Sequence, residues 1–424
     1  MESAKDAIVS ITAIKPGSIY PGNAPGVGAA SGFIVDTERR LIVTNRHVTG
    51  VGPVKLEVNF NNTSSSSAVA VYVDPWNDFA IIQYESCEKC KALKLGKFQG
   101  VKVGDEVATI SNDAMMKNTI ITGNVLNTKL DGGFRQSSVF QTSMNISPGS
   151  SGSPVMLRSG EVIGVNFATP KSSSTSIAVI SDYLIDKLGE IRTGRVMRGD
   201  IGYQVGYLTR REAPAYGFKP ELDQTLYVTG QVPGYNDLLL GDIIIEVDGK
   251  KVSDIYLYER MIDLNMGKAV PVKVWRKERF LTINVNVEKA DIPKEYLSFA
   301  GGNFIEPDLF MALSLGVDKG KALMLAHVEA GSMFKGLVRE KSETGYYCLL
   351  LKINDQPVSS LDGMERVLKT IKGSEILKFE IIDRGAGENI PRHVFVRWSQ
   401  AEGWKRVGNR SNFDPIPSVA PARS

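Results

Sequence analysis

The chain has 424 residues, enough for roughly three domains, and 42% of them are apolar, so each domain can bury a core. Lys plus Arg (50) barely exceed Asp plus Glu (47), and no run of five or six like charges occurs, which leaves no electrostatic case for nucleic acid or a membrane surface as partner. No stretch approaches the roughly 18 apolar residues of a membrane span, and the charged start Met1-Glu2-Ser3-Ala4-Lys5-Asp6-Ala7 lacks the apolar core of a secretory signal, so cytosol or nucleus is the expected location.

From residue 7 to about 190, short apolar runs alternate with turn residues, as at 7–11, 54–58, 68–73, 107–110 and 162–165, a mainly β pattern. The run Leu41-Ile42-Val43 ends in Thr44-Asn45-Arg46-His47-Val48. The chain has three histidines, and His47 alone lies in the first two hundred or so residues. Taken singly, a histidine at a strand end is ordinarily a hydrogen-bonded structural residue. Asp78, in Asp74-Pro75-Trp76-Asn77-Asp78 ahead of Phe79-Ala80-Ile81-Ile82, could equally be turn chemistry. The polar stretches 61–67 and 170–176 are expected to be mobile loops. Cys87-Glu88-Lys89-Cys90 is a lone C-x-x-C with no second pair or nearby histidine, so a surface loop is expected there rather than zinc, and three cysteines argue against a disulfide framework.

Gly149-Ser150-Ser151-Gly152-Ser153-Pro154 changes the weight of the two earlier residues. A glycine before the serine lets the backbone turn so that two N–H groups face one point, the geometry that holds an oxyanion. A serine nucleophile needs a base and a carboxylate to orient that base, and His47 and Asp78 supply them in the order His, Asp, Ser. That order differs from the subtilisin and α/β-hydrolase orders, and the segment fails G-x-S-x-G at its last position. The sequon Asn145-Ile146-Ser147 falls in the same loop, where a glycan would obstruct substrate, which argues against a secretory location. Residues 181–191 place Tyr183, Leu184, Leu188 and Ile191 on one helical face, and Arg192-Thr193-Gly194-Arg195 reads as a linker.

The second half repeats itself. Ile243-Ile244-Ile245-Glu246-Val247-Asp248-Gly249-Lys250 recurs as Leu349-Leu350-Leu351-Lys352-Ile353-Asn354-Asp355-Gln356, each an apolar strand and a tight turn followed by a helix such as 361–371. With Gly241-Asp242 ahead of the first copy, the pattern is similar to PDZ domains, which bind peptides by strand addition. The second copy has Tyr347-Cys348 in place of Gly-Asp and no convincing carboxylate loop near Asn303-Phe304. The segment 409–424 is rich in Pro, Ser and Arg and is expected to be disordered.

Thr44-Asn45-Arg46-His47-Val48, the Asp78 segment and Gly149-Ser150-Ser151-Gly152-Ser153-Pro154-Val155 resemble the HtrA (Deg) serine proteases. Asn118-Thr119-Ile120-Ile121-Thr122-Gly123-Asn124-Val125 and Gly160-Glu161-Val162-Ile163-Gly164-Val165-Asn166 agree. Ser-Gly-Ser-Pro is closest to the fungal Nma111-like (nuclear HtrA-like) branch. The resemblance implies a trypsin-like double β-barrel over 1–192, a PDZ domain over 198–290, a PDZ-like α+β domain over 297–400 and a tail over 404–424. It implies a catalytic set of His47 (base), Asp78 (orienter) and Ser151 (nucleophile), with the N–H groups of Gly149 and Ser151 as the oxyanion hole. Asn166, Phe167 and Ala168 would line a specificity pocket suited to small or medium apolar side chains. Ile201, Gly202 and Tyr203, in Arg198-Gly199-Asp200-Ile201-Gly202-Tyr203, would bind peptide. The implied protein is an ATP-independent endopeptidase without metal or organic cofactor, acting on unfolded or C-terminally exposed polypeptides, open to peptide activators at the first PDZ domain. Homo-oligomers, trimers or multiples of them, are implied through N-terminal aromatics, here Tyr20. The alternative is a proteolytically silent PDZ scaffold or holding chaperone, to which Pro148 in the oxyanion loop could contribute.

Overall fold

The computed structural model describes residues 2–15, 26–50, 54–61, 64–112, 118–130, 138–147, 149–170, 173–235, 237–290, 292–293, 295–329, 331–335, 348–372, 374–383, 390–399 and 403–408. Two closed six-stranded barrels come first. Barrel 1 joins β1 (Ile8–Lys15), β2 (Gly26–Asp36), β3 (Leu41–Thr44), β4 (Lys55–Phe60), β5 (Ser65–Val73) and β6 (Ala80–Tyr84) in the order β1-β2-β3-β6-β5-β4. Closure follows from β1 pairing on both edges, Ile8 with Phe33 of β2 and Val9 with Phe60 of β4. Alternation supplies the core: in β4, Leu56, Val58 and Phe60 are buried while Lys55 and Glu57 are exposed.

Barrel 2 joins β7 (Glu106–Ser111), β8 (Thr119–Leu130), β9 (Val139–Thr142), β10 (Pro154–Leu157), β11 (Val162–Ala168) and β12 (Ser176–Ile180) in the order β10-β11-β12-β9-β8-β7. Its core, with Phe140, Val155, Ile163 and Val179, runs into barrel 1 residues Phe33, Val43, Phe79 and Ile81 as one apolar cluster. The four-residue helix α1 (Arg46–Thr49) follows β3, and α2 (Ser181–Thr193) closes the second barrel with Tyr183, Leu184 and Leu188 in that cluster. Helix α2 stops at Gly194, whose φ of 70° is left-handed, two residues beyond the span expected from periodicity.

Two smaller α+β units complete the described chain. In the middle unit, strands Tyr203–Thr209, Gln224–Gln231, Ile243–Val247, Ala269–Arg276 and Arg279–Asn286 form a sheet in chain order, beside a short pairing of Gly199–Asp200 with Glu288–Lys289. Helix α3 (Ile255–Leu264) begins at Asp254, whose carboxylate accepts the N–H of Leu257 at 2.8 Å. The C-terminal unit orders Arg392–Ser399, Ser374–Asp383, Cys348–Ile353, Leu323–Val328, Gly302–Ile305, Glu295–Phe299 and Trp404–Gly408 side by side, with helices α4 (Leu309–Leu315) and α5 (Leu361–Thr370). The repeated turns take one backbone form: Asp248 and Gly249 have φ of 53° and 70°, Asn354 and Asp355 46° and 63°, the mirror-image hairpin turn that a right-twisted ribbon favours.

The two copies differ at one edge. Val232 N–H donates to Gly202 O at 2.8 Å, and Glu329 N–H donates to Gly301 O at the same distance, so these loops are equivalent. Among the described residues no further strand joins the sheet beyond Tyr203–Thr209, whereas Gly302–Ile305 has the corresponding edge covered by Glu295–Phe299, in a tight hairpin pairing Leu297 with Phe304 and Phe299 with Gly302.

Several expectations are revised. Ser65–Ser67 belong to β5 and Ser176 to β12, because neighbouring strands take their backbone groups; residues 62–63 and 171–172 lie outside the described residues. Cys87 and Cys90 form a disulfide with their Cα atoms 6.0 Å apart, since two intervening residues let the loop bring the thiols together; it is a local bridge, and Cys348 is free and buried. Residues 404–408 are a strand on Glu295–Phe299 rather than tail, so the last unit begins at Glu295 and extends to Gly408. Tyr20, Pro148, Tyr347 and the segment 409–424 lie outside the described residues. Among the described residues no helix is long and apolar enough to cross a membrane.

The linker residue Arg198 joins the units through charge. Its guanidinium, 5% exposed, lies 3.4 Å from Asp74 of barrel 1, 3.2 Å from Glu259 and 3.4 Å from Asp263 of α3. Lys187 of α2 adds contacts to Asp263 at 2.9 Å and Glu190 at 3.0 Å. Burial, with Asp74 and Asp263 nearby, pushes the Glu259 carboxyl up to about 7 against the pull of Arg198. Truncating Arg198 strands three buried carboxylates, so Arg198→Ala is expected to lose about 3–5 kcal/mol in urea unfolding. A carboxyl with a raised folded pKa keeps its proton in the native state longer than in the unfolded one, so between about pH 4.5 and 7 stability falls as pH rises. Glu259→Gln should remove a slope on the order of 2–3 kcal/mol across that window, read from unfolding midpoints at each pH.

Candidate active site

The motif around His47 is a set of anchors. Thr44 Oγ1 donates to Ser31 O at 2.9 Å, Asn45 Nδ2 to Asp78 O at 2.6 Å, and Arg46 Nη1 to Pro75 O at 2.7 Å. Three consecutive side chains thus tie the end of β3 to β2 and to the loop before β6. His47 then meets Asp78 twice: its N–H donates to Oδ1 at 2.9 Å, and its Nδ1 lies 2.7 Å from Oδ2. With Nδ1 held by the carboxylate, Nε2 is the nitrogen left for proton transfer, and the imidazole is 44% exposed, open to a substrate. Burial works to raise the Asp78 pKa, but the charge and hydrogen bond of His47, the nearby Arg46 and the His47 N–H together hold it well below the usual carboxylate range.

Asp74 gives the Asp78 loop its shape. Its Oδ1 accepts the N–H groups of Trp76 at 2.8 Å and Asn77 at 2.6 Å, and its Oδ2 accepts the Tyr72 hydroxyl at 2.6 Å. The group is fully buried, which opposes charge, yet Arg198 and these donors leave its pKa lowered.

The loop before β10 presents Ser151. Gly149 and Gly152 have φ of 99° and 86°, values that favour glycine. A Cβ at Gly152 would lie 2.2 Å from Ser31 O and 2.6 Å from Thr44 Oγ1, so only glycine lets this loop press against barrel 1. The contact is sealed by Ser31 N–H donating to Ser151 O at 2.9 Å, beside the anchors that hold His47. Further bonds fix the loop: Ser150 N–H to Ser147 O at 3.0 Å, Gly152 N–H to Asn166 O at 2.9 Å, and Ser31 Oγ within 2.9 Å of Gly149 O. Among the described residues the N–H groups of Gly149 and Ser151 and the Ser151 hydroxyl take no hydrogen bond, which leaves them for a ligand. His47, Asp78, Gly149 and Ser151 are therefore brought to one junction between the barrels.

The other expected residues divide. Asn166 is fully buried, its Nδ2 donating to Thr109 Oγ1 at 3.2 Å and Ser153 Oγ at 3.1 Å, so its side chain supports the loop from inside barrel 2. Phe167 and Ala168 are half-buried on the same strand. Ile201, Gly202 and Tyr203 sit in the middle unit, where Tyr203 Oη accepts the N–H groups of Asp237 and Leu238 at 3.1 Å each. Among the described residues no three of His, Cys, Asp and Glu are grouped to hold a metal. Sequence reasoning did not single out Ser31, Asp74 or Trp76. Asp74 was within reach, because an Asp three residues before an Asn-Asp pair is an Asx-turn signal.

A family model described as a trypsin-like peptidase domain matches residues 30–165. The chain is 27% identical over 376 residues to the pro-apoptotic serine protease NMA111 of Saccharomyces cerevisiae, covering 81% of this chain and 37% of that protein. It is 26% identical over 438 residues to NMA111 of Chaetomium globosum, covering 92% of this chain and 41% of that one. It therefore spans about two fifths of the length of these curated relatives. An HtrA-type protease, AlgW, solved with a tripeptide, shares the fold at a TM-score of 0.55 and 22% identity, over 69% of this chain and 96% of that one. The chain thus carries a trypsin-like double barrel, with a trypsin-like peptidase domain over residues 30–165, and is similar in sequence to the NMA111 serine proteases.

Proposed function

We propose that the chain is an ATP-independent serine endopeptidase of the HtrA type. The observation that carries this is the doubly bonded His47–Asp78 pair held against the 149–153 loop by the Ser31–Ser151 contact. In this reading Asp78 keeps the imidazole in the tautomer with Nε2 unprotonated, and Nε2 accepts the Ser151 hydroxyl proton as Oγ attacks a peptide carbonyl. The new C–O bond forms as the carbonyl π pair moves to oxygen, where the N–H groups of Gly149 and Ser151 receive the negative charge. Protonated His47 then delivers its proton to the leaving amine, and the C–N bond breaks to leave an acyl-enzyme. A water deprotonated by the same nitrogen hydrolyses it. Among the described residues no hydrogen bond joins the Ser151 hydroxyl to His47, and catalytic bonds of this kind tighten when substrate binds. With no acidic residue on 166–168, cleavage after small or medium apolar residues is the matching specificity.

The middle unit is read as a peptide-binding PDZ domain with Ile201, Gly202 and Tyr203 at the head of its groove. Its open strand edge at Tyr203–Thr209 supports this, and AlgW, which shares the fold, was solved with a tripeptide and a decapeptide. The C-terminal unit is read as a PDZ relative without a free groove, since its own Glu295–Phe299 fills the equivalent edge. Substrates are unfolded polypeptides, and occupancy of the middle unit is a candidate route to regulation.

Purified chain should degrade an unfolded model protein without ATP and in the presence of a chelator, cutting after small apolar residues, whereas Ser151→Ala should lower turnover by roughly 10⁴- to 10⁶-fold. Absence of cleavage by the wild-type chain would favour the silent scaffold instead. Asp78→Asn keeps an acceptor for the His47 N–H but lets the imidazole adopt the other tautomer. A fall in kcat of roughly 10³- to 10⁴-fold with little change in KM is expected in steady-state assays of a fluorogenic peptide.

A further inference from the structure

The loop read as the head of the peptide groove already holds a carboxylate of its own. Asp200, 5% exposed, accepts the N–H of Gly202 through Oδ1 at 2.8 Å. This is a donor that strand-adding peptide sites offer to a ligand's terminal carboxylate. The loop has little freedom to offer another: Gly202 has φ of 74°, a Cβ there would lie 2.7 Å from the Tyr235 ring, and its carbonyl is bound by Val232 N–H. Beside Asp200, Ile201, Tyr203, Tyr258 and Ile262 line a cavity of only about 10 Å³, to which Trp76 from the Asp78 loop also contributes a wall.

The charges around Asp200 do not cancel it. Arg198 already serves Asp74, Glu259 and Asp263, and Lys319 is paired with Glu288 at 2.9 Å, with Glu288 also accepting the Tyr235 hydroxyl. From α4 the facing group is Asp308, another carboxylate. Burial first, then Asp308, pushes the Asp200 carboxyl up to about 7 against Gly202 N–H, Arg198 and Lys319.

Building on the PDZ reading of the middle unit, we propose that Asp200 is a resident carboxylate that sets its ligand class. The groove takes strands without a terminal charge, internal segments of unfolded polypeptide, and rejects free C-termini while Asp200 is ionised. An incoming terminal carboxylate would have to share Gly202 N–H with a fixed like charge in a water-poor pocket, and like charges placed together are a strong device against the wrong partner. Unfolded polypeptides expose internal segments in far greater number than ends, so this selectivity suits the proposed substrates. It narrows the expectation from sequence that unfolded or C-terminally exposed polypeptides are bound.

The test uses the full chain carrying Ser151→Ala, so that peptide is bound and not cut, and a fluorescein-labelled decapeptide ending in phenylalanine, as free acid or C-terminal amide. Anisotropy at pH 8 should show the amide binding about tenfold or more tighter than the acid. Asp200→Asn retains the acceptor for Gly202 N–H and should bring the acid to within about threefold of the amide. In the unsubstituted loop, lowering the pH to 6 protonates Asp200 and should shrink the preference in the same direction, with Asp200→Asn insensitive to that change. Trp76→Ala, which opens the cavity, should tighten both peptides and leave their ratio unchanged. Equal or tighter binding of the acid at pH 8, or a ratio unmoved by Asp200→Asn, overturns the role of Asp200 and leaves the PDZ reading standing. Failure of every variant, including Trp76→Ala, to bind either peptide overturns both.

Discussion

The buried guanidinium of Arg198 is the constraint on which the arrangement of this protein turns. A cation taken out of water is stable only with partners in place, and its partners come from different parts of the chain: Asp74 from barrel 1, Glu259 and Asp263 from α3 of the middle unit. Neither half can satisfy the group alone. Lys187 and Arg260 extend the cluster to Glu190 and Asp186 on α2, so five carboxylates face three cations. The surplus of negative charge explains why burial drives one carboxyl, Glu259, toward its protonated form while Asp74, closest to the Asp78 loop and rich in donors, keeps its charge. The linker is therefore a joint of fixed geometry, and the middle unit is docked where its helix shares Arg198 with Asp74, the residue that shapes the Asp78 loop.

From that joint the order passes inward by short polar bonds. Asp74 fixes Trp76 and Asn77, Asn45 fixes the carbonyl of Asp78, and Asp78 fixes both the backbone and the ring of His47. On the other side Ser31 binds the carbonyls of Gly149 and Ser151. Small hydroxyl and amide side chains suit this task because the barrels approach too closely for larger ones, as the 2.2 Å clearance at Gly152 shows, and because every buried peptide group at the junction needs a partner. The site is thus a by-product of closing two barrels against each other, with His47, Asp78 and Ser151 placed where strands end and backbone bonds run out.

Much of this was legible in the sequence where a residue type and a short spacing fix the outcome. The strand alternation of β4, the turns at Asp248-Gly249 and Asn354-Asp355, and the helix faced by Tyr183, Leu184 and Leu188 all follow from local chemistry. What escaped depends on contacts between distant segments. Nothing local marks Arg198 as buried, since an arginine beside a glycine in a linker normally faces water. Ser65–Ser67 looked like loop because serine is a turn residue, and only the pairing of Ser66 with Val58 across β4 and β5 makes it strand. Asn166 sat in an apolar strand expected to line a pocket, but its amide is drawn inward by Thr109 and Ser153, hydroxyls that local sequence does not place beside it. The resemblance could not have shown that Asp200 accepts the Gly202 N–H, because the loop motif is read from its glycine.

The two repeated units show how one module can be put to two uses by a change at a single edge. In the C-terminal unit, Glu295–Phe299 occupies the strand-addition edge and is itself covered by Trp404–Gly408, with Arg406 paired to Glu295 and to Glu365 of α5. An edge so filled gains permanent hydrogen bonds and loses the capacity to exchange them. That unit can then serve as a brace: its Ile305, Met311, Met324 and Leu349 share one apolar cluster with Val58, Phe60 and Tyr84 of barrel 1. The middle unit keeps its edge, and the small cavity beside Ile201 and Tyr203 is lined by one carboxylate, Asp200, and one indole, Trp76. Because the indole is Trp76, two residues from Asp78 and tied to the same Asp74 carboxylate, any ligand that moves it works against the bonds that position the catalytic loop. Under the proposed function, any change that a peptide on the middle unit made in the affinity for substrate at Ser151 would be matched by an equal change that substrate made in the affinity of the middle unit, since linkage between two binding events is reciprocal.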